Sequence, residues 1–563
     1  MGLNTDLSEL LDVDAAISTA SPSVQSPAAS AVAAGGGVAY DGSSKIDRLA
    51  MWRPAIRSAD AEIIPEKGSL DARVGDTLRN DAYVSGGSDI RKDSIVGARF
   101  ALTAKPETKV LWGKEDKDWE TEFQEEIETK FTLAVESDLK WIDASRHNTL
   151  TSFVRMAIGI HLAGGEVLAT SEWLKDSGRP FQTAVQMIDT ARLETPFDQL
   201  HRPQSRIRKG VERNRFGAPI AYHIRNSHPN DGGFADYLNP DLNKWKRVPT
   251  YNAWGRQNVL HIYEQMRPDQ TRGISSIVTA LTEMRMTKHF RKTELERAVV
   301  AATYAASIES EIPEHVPEAL GQAYNGEGNA TTQYMTEYLA SIMAYAGGAS
   351  NLHMDGAKIP IFAPGTHLKI QNPGTSGPVG DKFEQSLLRY IAAALGLSYE
   401  QLSRDYTQTN YSSARAAMGE TWKSMMSLKK AVAEAFANFI YRLWIEEAIN
   451  NNEIECLKRA NVPSFYEGLN AEAYCACEWV GAGQGQIDPL KETQAAVLKI
   501  KNGLSTKEAE IARISGGDYR RVARQIQRER ELDAFYGNPS IYDTDSTDME
   551  NALAATPTEV QEA

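Results

Sequence analysis

Cysteine is nearly absent: the 563 residues hold three, Cys456, Cys475 and Cys477, too few for a disulfide framework. Cys475 and Cys477 lie two apart in AYCACEWV, which reads as a strand with both thiols on one side. Zinc takes four nitrogen or sulfur ligands and no His lies nearby in sequence, so buried free thiols are the expectation. Also missing is any apolar run near the roughly 18 residues that cross a bilayer. The start, MGLNTDLSELLDVDAA, carries acids where a secretory signal is basic. An intracellular protein with no membrane partner is expected. Catalytic signatures are missing as well. A nucleotide-driven motor needs GxxxxGK[ST], and the nearest run, GGGVAYDGSSK, lacks the Gly-Lys pair. HExxH does not occur, and the ten His residues are scattered without ligand spacing. No catalytic residue, metal ligand or cofactor is assigned.

What is there is ordinary in composition and uneven in layout. A hydrophobic fraction of 42% with 24% charged residues suits a soluble globular chain, long enough for several core-bearing regions. The net charge of -14 is concentrated at the ends. Residues 1–45 are acidic and Ala/Ser/Gly-rich, and residues 531–563 carry eight acids with no Lys or Arg, so both ends read as flexible tails. Such a balance argues against gripping DNA along the whole surface without excluding it as a partner.

Residues 46–270 mix helix and strand. ETEFQEEIETKFTLAVESDL and TLTSFVRMAIGIHLAGG have helical periodicity, and FQTAVQMID and PIAYHI read as short strands. RPQSRIRKGVERNR holds six basic residues and one acid, which reads as a solvated loop or an inter-subunit salt-bridge surface more readily than as a nucleic-acid patch. From Gly273 to Ser310 a long helical segment carries a positive belt in RMTKHFRKTELER. If continuous it spans about 57 Å at 1.5 Å per residue, the scale of a strut. Between it and Asp381 lies an irregular insert with a helix over TQYMTEYLASIMAYAGG and a hairpin in AKIPIFAPGTHLKIQNPG broken at Pro364 and Gly365. The order is two struts carrying a small knob.

Asp381 and Glu384 have capping-box spacing ahead of a helix that stops at Gly396, a polar loop LSYEQLSRDYTQTNYSS follows, and from Ser413 a helix of about 37 residues begins. Near the end, strand, glycines and helix in WVGAGQGQIDP imitate a dinucleotide site. The spacing is GxGxG, however, and Asp488 already occupies the N-cap where a phosphate would bind, so a tight structural turn is expected. The final helical segment, residues 511–530, carries six Arg against Asp518 and Glu529.

EQSLLRYIAAALGLSYEQLSRDY, followed by NYSSARAAMGETW, closely resembles the portal proteins of lambda-like tailed phages. RNDAYVSGGSDIRKDSIVGARF, HIYEQMRPDQTRGISS and WVGAGQGQIDPLKETQAAVLKIKNGLSTKE resemble further landmarks in the same order, so the likeness runs from about Asp47 to about Leu532. Ala98 departs from the Thr or Gly of many relatives.

The resemblance implies a mainly α fold with α+β parts, the portal fold of wing, stem, clip and crown, closing into a homo-oligomeric ring of twelve around a channel. It implies residues 1–45 as a flexible tail, 46–270 as the first part of the wing, 273–310 as stem helix 1, 311–380 as the clip and 381–396 as stem helix 2. Residues 398–412 would be the channel loop, 413–480 the long helix and second part of the wing, 487–535 the crown, and 536–563 an acidic flexible tail. The implied partners are double-stranded DNA bound without sequence preference, the packaging terminase, major capsid and scaffold proteins, and head-completion or tail connector proteins. The implied place is the capsid portal vertex of the virion, reached from the host cytoplasm during assembly. No enzyme activity and no cofactor are implied. Arg404, Tyr406, Gln408, Asn410 and Tyr411 of the loop, with Lys288, Arg291 and Lys292 of the belt, are the candidate DNA-channel residues. A DNA-processing enzyme on a helical scaffold is the alternative, and it requires a catalytic cluster that the sequence does not display.

Overall fold

The computed structural model describes residues 52, 54–200, 206–229, 231, 244–303, 336–337, 340, 352–354, 357–359, 378–407, 409–458, 462–486, 488–538 and 542. Residues Met1–Arg57 separate from Ser58–Ala563, and the architecture below concerns the second unit.

Two helices open it, α1 (Ala59–Asn80) and α2 (Ala82–Ile95), joined at Asp81, whose carboxylate accepts from the backbone N–H of Tyr83 at 3.0 Å and Val84 at 3.2 Å. These are the orphan donors of a helix start, which is why an acid sits there. Strand β1 (Ala101–Ala104), helix α3 (Lys117–Val135) and helix α4 (Leu150–Gly164) follow. Helix α4 begins at a Thr149/Ser152 capping box and ends at Gly165 in the left-handed conformation, φ 73°. The strands β2 (Glu166–Trp173), β3 (Thr183–Ile188) and β8 (Val259–Tyr263) form a three-stranded antiparallel sheet with β2 in the middle. Strands β4 (Ile207–Arg208), β5 (Val211–Arg213), β6 (Pro219–Arg225) and β7 (Trp245–Pro249) form a four-stranded one in sequence order.

The period of two along β2 divides two cores. Val167 and Ala169 face the main core, whereas Leu168 faces a smaller one with Ile188, Leu193, Val211, Tyr222, Ile224 and Val259. The basic run 206–215, expected as a loop or salt-bridge surface, forms the β4–β5 hairpin and the turn after it.

A 3-10 turn, Ser276–Ala280, leads into helix α5 (Leu281–Thr303), so the first strut does not start as α-helix at Gly273. Within the insert, β9 (Leu352–Met354) pairs antiparallel with β10 (Ala357–Ile359). The hairpin break expected at Pro364 and Gly365 lies outside the described residues. Most of residues 311–380, including the expected helix in TQYMTEYLASIMAYAGG, lies outside the described residues, as do both tails apart from a few positions.

Helix α6 (Pro378–Leu395) begins three residues before Asp381, so that acid lies inside the helix and not at the start expected for it. Proline suits a first helical turn because its missing N–H would be unpaired there anyway. A short helix α7 (Tyr399–Ser403) precedes α8 (Tyr411–Leu428), a six-residue π-helical segment Lys429–Glu434, and α9 (Ala435–Asn450). The long expected helix is present, broken in register by the π turn. Phe436, Ile440, Tyr441, Leu443 and Trp444 of α9 are buried. Phe131 of α3 meets Tyr441 and Trp444 edge-on at 5.3 and 5.2 Å. Each such side chain contributes roughly 1.5–3 kcal/mol by leaving water.

AYCACEWV is not one strand. Helix α10 (Asn470–Cys475) ends at Cys475, and only Cys477 belongs to β11 (Cys477–Val480). The three cysteines are unpaired, and Cys456 is buried. Strand β11 pairs antiparallel with β1, Ala101 opposite Val480 and Ala104 opposite Cys477, stitching the early and late parts of the chain into one core. Beyond it come α11 (Pro489–Lys501), α12 (Lys507–Ser515) and α13 (Tyr519–Tyr536). Asp488 caps α11, accepting from Lys491 N at 3.2 Å. A Cβ on Gly483 would stand 2.6 Å from the Ile514 carbonyl oxygen, and Gln484 N donates to the Arg513 carbonyl at 2.6 Å. These glycines permit backbone to lie on backbone, which is a structural turn.

Candidate nucleic-acid interface

The belt residues lie on α5, and the fold uses them unequally. Lys288 Nζ donates to the Asn80 carbonyl at 3.1 Å, linking α5 to the end of α1. Arg291 is held on three sides: Nε donates to Glu384 Oε1 of α6 at 2.6 Å, Nη2 donates to the Tyr83 hydroxyl at 2.6 Å, and the guanidinium lies 4.4 Å over the Tyr83 ring. A planar cation with a carboxylate, a hydroxyl and an aromatic face around it is a tie between α2, α5 and α6. Phe290 against Phe383, edge-on at 5.6 Å, packs the same two helices. Lys292 differs. It is 73% exposed and has only Glu296, 3.7 Å away one turn on, a surface pair of little energetic weight.

The loop is shorter than residues 398–412. Ser398 and Gln401 form a capping box: Ser398 Oγ accepts from Gln401 N at 3.3 Å and Gln401 Oε1 accepts from Ser398 N at 3.2 Å. Leu402 is buried in the main core, so α7 is packed and not free. The helix ends at Arg404, whose φ of 57° is left-handed and whose side chain is exposed. An L residue in that conformation costs roughly 1–2 kcal/mol, which the α7 packing on one side sustains. Asp405 Oδ1 then accepts from Thr407 N at 3.0 Å and from the Thr407 hydroxyl at 2.6 Å, closing a turn that leaves Tyr406 56% exposed. Asn410, expected to line a channel, spends its side chain otherwise: Oδ1 accepts from Ser413 N at 2.9 Å and caps α8. Gln408 lies outside the described residues, and so does the side chain of Tyr411, the first residue of α8.

Arg404 and Tyr406 therefore lie on the exposed surface of the loop, with Thr407 and Asn410. Among the described residues Arg404 has no ion pair, and no contact joins the loop set to the belt set. Sequence reasoning does not single out Arg415, which is exposed early in α8 and lines a cavity of about 140 Å³ with Gln484, Glu492, Lys499 and Arg513. A cation so near a helix N-terminus runs against the macrodipole, and that mismatch is the signal that could have found it. Among the described residues no group of three or more His, Cys, Asp or Glu is placed to hold a metal ion.

Three comparisons bear on this arrangement. Residues 45–429 match the family model described as phage portal protein, lambda family. The chain is 34% identical to the portal protein of Escherichia phage N15 over 90% of this chain and 92% of that protein. It is 33% identical to portal protein B of Escherichia phage lambda over 88% of each. The neck of an empty gene transfer agent particle superposes with a TM-score of 0.39 at 11% identity, covering 79% of this chain and 92% of that one.

Proposed function

Because the chain belongs to the lambda family of phage portal proteins, we propose that its copies close into a ring of twelve at one capsid vertex and that the Arg404–Tyr406 surface lines the path of double-stranded DNA. The protein is the head–tail connector of a tailed phage. In this reading residues 46–270 and 413–480 are the wing, 273–310 and 381–396 the stem, 311–380 the clip and 487–535 the crown. The β1–β11 pairing supports joining the two wing parts, and the Arg291–Glu384 and Phe290–Phe383 contacts support two stem helices side by side. The clip would dock the packaging terminase and later the head-completion proteins, and the wing would meet the capsid and scaffold proteins.

The observation that carries the DNA path is a loop anchored at both ends, by the Ser398 box and the Asn410 cap, with an exposed guanidinium that has no ion pair among the described residues. A conduit must touch phosphates without reading bases and without holding them, since every strong cationic contact adds a sequence-independent barrier to sliding. One positive charge per copy, repeated by symmetry, meets that need. Arg404→Gln removes the charge and Arg404→Glu reverses it. Packaged DNA length per particle should fall further for Glu than for Gln, with the difference shrinking at high salt. Full-length packaging by both variants would remove this loop from the channel.

A further inference from the structure

Two surface features of the wing are each incomplete within one copy and complement one another in charge and shape. The first is a cavity of about 420 Å³ at the far end of β2. Trp173 and Trp254, 50% and 60% exposed, stand at its mouth. Its floor is Arg256, which donates to Glu446 Oε2 at 2.7 Å and lies 5.2 Å over the Trp173 ring. Glu447 also lines it, with both carboxylate oxygens taken by the backbone N–H groups of Gln182 and Thr183 at 2.6 and 2.8 Å. Glu172 also lines the cavity; it accepts from the Thr170 hydroxyl at 3.0 Å and forms no ion pair among the described residues. Three carboxylates against one guanidinium leave the cavity negative, with Glu172 free of an ion pair among the described residues and the exposed Trp254 beside it, a setting that suits a cationic side chain.

The second feature is the basic hairpin. Arg213 is engaged by Asp60 at 3.4 Å and the Asp269 carbonyl at 3.0 Å, and Lys209 by Glu194 at 3.5 Å. Arg206, Arg208 and Arg215 are exposed and have no ion pair among the described residues. Arg215 lies over Phe216, 76% exposed, so the turn after β5, at the open end of the hairpin beside Arg206, presents an aromatic ring with its arginines. The hairpin and the cavity do not serve each other within one copy. The Lys209 carbonyl accepts from Arg272 Nη1, whose guanidinium sits on Glu166 at the start of β2, whereas the cavity is at Trp173, seven residues along the strand. At ~3.3 Å per residue that separation is about 23 Å.

We infer that the basic hairpin of one copy docks at the acidic, indole-walled cavity of the next, so that the contact is heterologous and repeats around the ring. The inference rests on the ring proposed above. A rotation that closes brings two different patches of identical chains together, and opposite unpaired charges at those two patches fix which neighbour fits and in which orientation. Trp and Arg are among the residue types that dominate protein–protein binding energy, and here they sit on the two sides of one contact.

The test is ring assembly of the full chain, followed by native mass measurement and electron microscopy across a concentration series. The triple variant Arg206→Glu, Arg208→Glu, Arg215→Glu and the single variant Glu172→Arg should each raise the concentration for half-assembly by roughly tenfold or more, since like charges are brought together. The two combined should recover a large part of the loss, which no folding defect would produce. Trp254→Ala should weaken assembly while leaving the melting temperature of the subunit unchanged, as the indole is exposed. If the wild type forms rings and both charge variants form them at the wild-type concentration, the contact is wrong while the ring stands. If the triple variant assembles normally but loses DNA, the arginines serve nucleic acid and the contact is likewise overturned. A wild type that stays monomeric would sink the ring and this contact with it.

Discussion

At the scale of single residues the chain invests most heavily in Glu166. Its carboxylate, fully buried, accepts from Arg272 Nε at 3.0 Å, His261 Nε2 at 3.1 Å and Gly273 N at 3.0 Å, with Lys67 at 3.3 Å. Burial opposes its charge, yet Arg272, His261 and Lys67 together hold its pKa well below the ordinary carboxylate value. Such a lowered acid adds stability above the unfolded-chain value of about 4.5 that is lost as the pH falls toward the folded value. His161 acts in the same direction: burial and the Arg91 charge push its pKa down to about 4, so stability is lost as the pH drops from 6.5 toward 4. Glu166→Gln leaves Arg272 buried without its counter-charge, while Lys67 keeps Asp71 at 2.9 Å, and should cost about 3–5 kcal/mol, measured by denaturant unfolding. Glu128 has the opposite sign. Burial and the nearby Asp518 raise its pKa to about 7, so the folded state holds its proton more tightly and stability declines as the pH rises from 4.5 to 7. Glu128→Gln should flatten that decline in melting temperature, and a variant whose profile still falls through this window would acquit Glu128. Where α4 meets the approach to α5, a Cβ on Gly273 would stand 2.1 Å from the Gly165 carbonyl oxygen. Backbone cannot yield there, so Gly273→Ala should cost more than about 3 kcal/mol.

Among the elements, the π segment is the one that periodicity could not announce. Met425 before it, Val432 within it and Phe436 and Ile440 after it are all buried, and the extra residue of the π turn re-phases them onto one core. Lys429 within it donates to the Trp479 carbonyl at 2.6 Å, fixing the turn to β11. Deleting the exposed Ala431 would restore a regular helix and rotate α8 by about 100° relative to α9. Loss of cooperative thermal unfolding, or a drop in its midpoint by many degrees, is the expected result. Unchanged unfolding would mean that the re-phasing is dispensable. The elements misread from sequence failed for local reasons. Cys475 closes a six-residue helix, Asn470–Cys475, and only its last three residues fall within AYCACEWV, too few for a helical period to show there. Helix α6 runs past Asp381 because Glu384 finds Arg291 across the gap to α5, and no partner on a distant helix is visible in the spacing of two acids.

Over the whole molecule, β1 and β11 close a core to which both early and late segments contribute, and the last three helices are fastened to it at a few points. Thr103 Oγ1 donates to Asp518 Oδ2 at 3.1 Å, Lys105 pairs with Glu478 at 2.8 Å and Glu508 at 3.3 Å, and Gly483 lies against the end of α12. Neither acidic end enters these contacts among the described residues. A chain cut to residues 46–538 should therefore close into the same ring as the full protein, by native mass, whereas a stable monomer at micromolar concentration would make the ends part of closure. Lengthwise, α13 carries Leu532, Phe535 and Tyr536 exposed at 55%, 80% and 71%, a face that one copy alone leaves in water.

The sequence by itself determined the family, from ordered phrases spread over most of the chain, and the helices whose apolar residues recur at their own period, because both signals are local. It also determined where the candidate loop lies and that it is polar. Only the tertiary structure decided which of its polar groups remain available. On the loop Asn410 Oδ1 caps α8 while Arg404 and Tyr406 are exposed, and on the belt Arg291 is tied to Glu384 and Tyr83. A side chain's availability depends on what the rest of the chain brings within about 3 Å of it, and residues hundreds of positions away supply that neighbourhood.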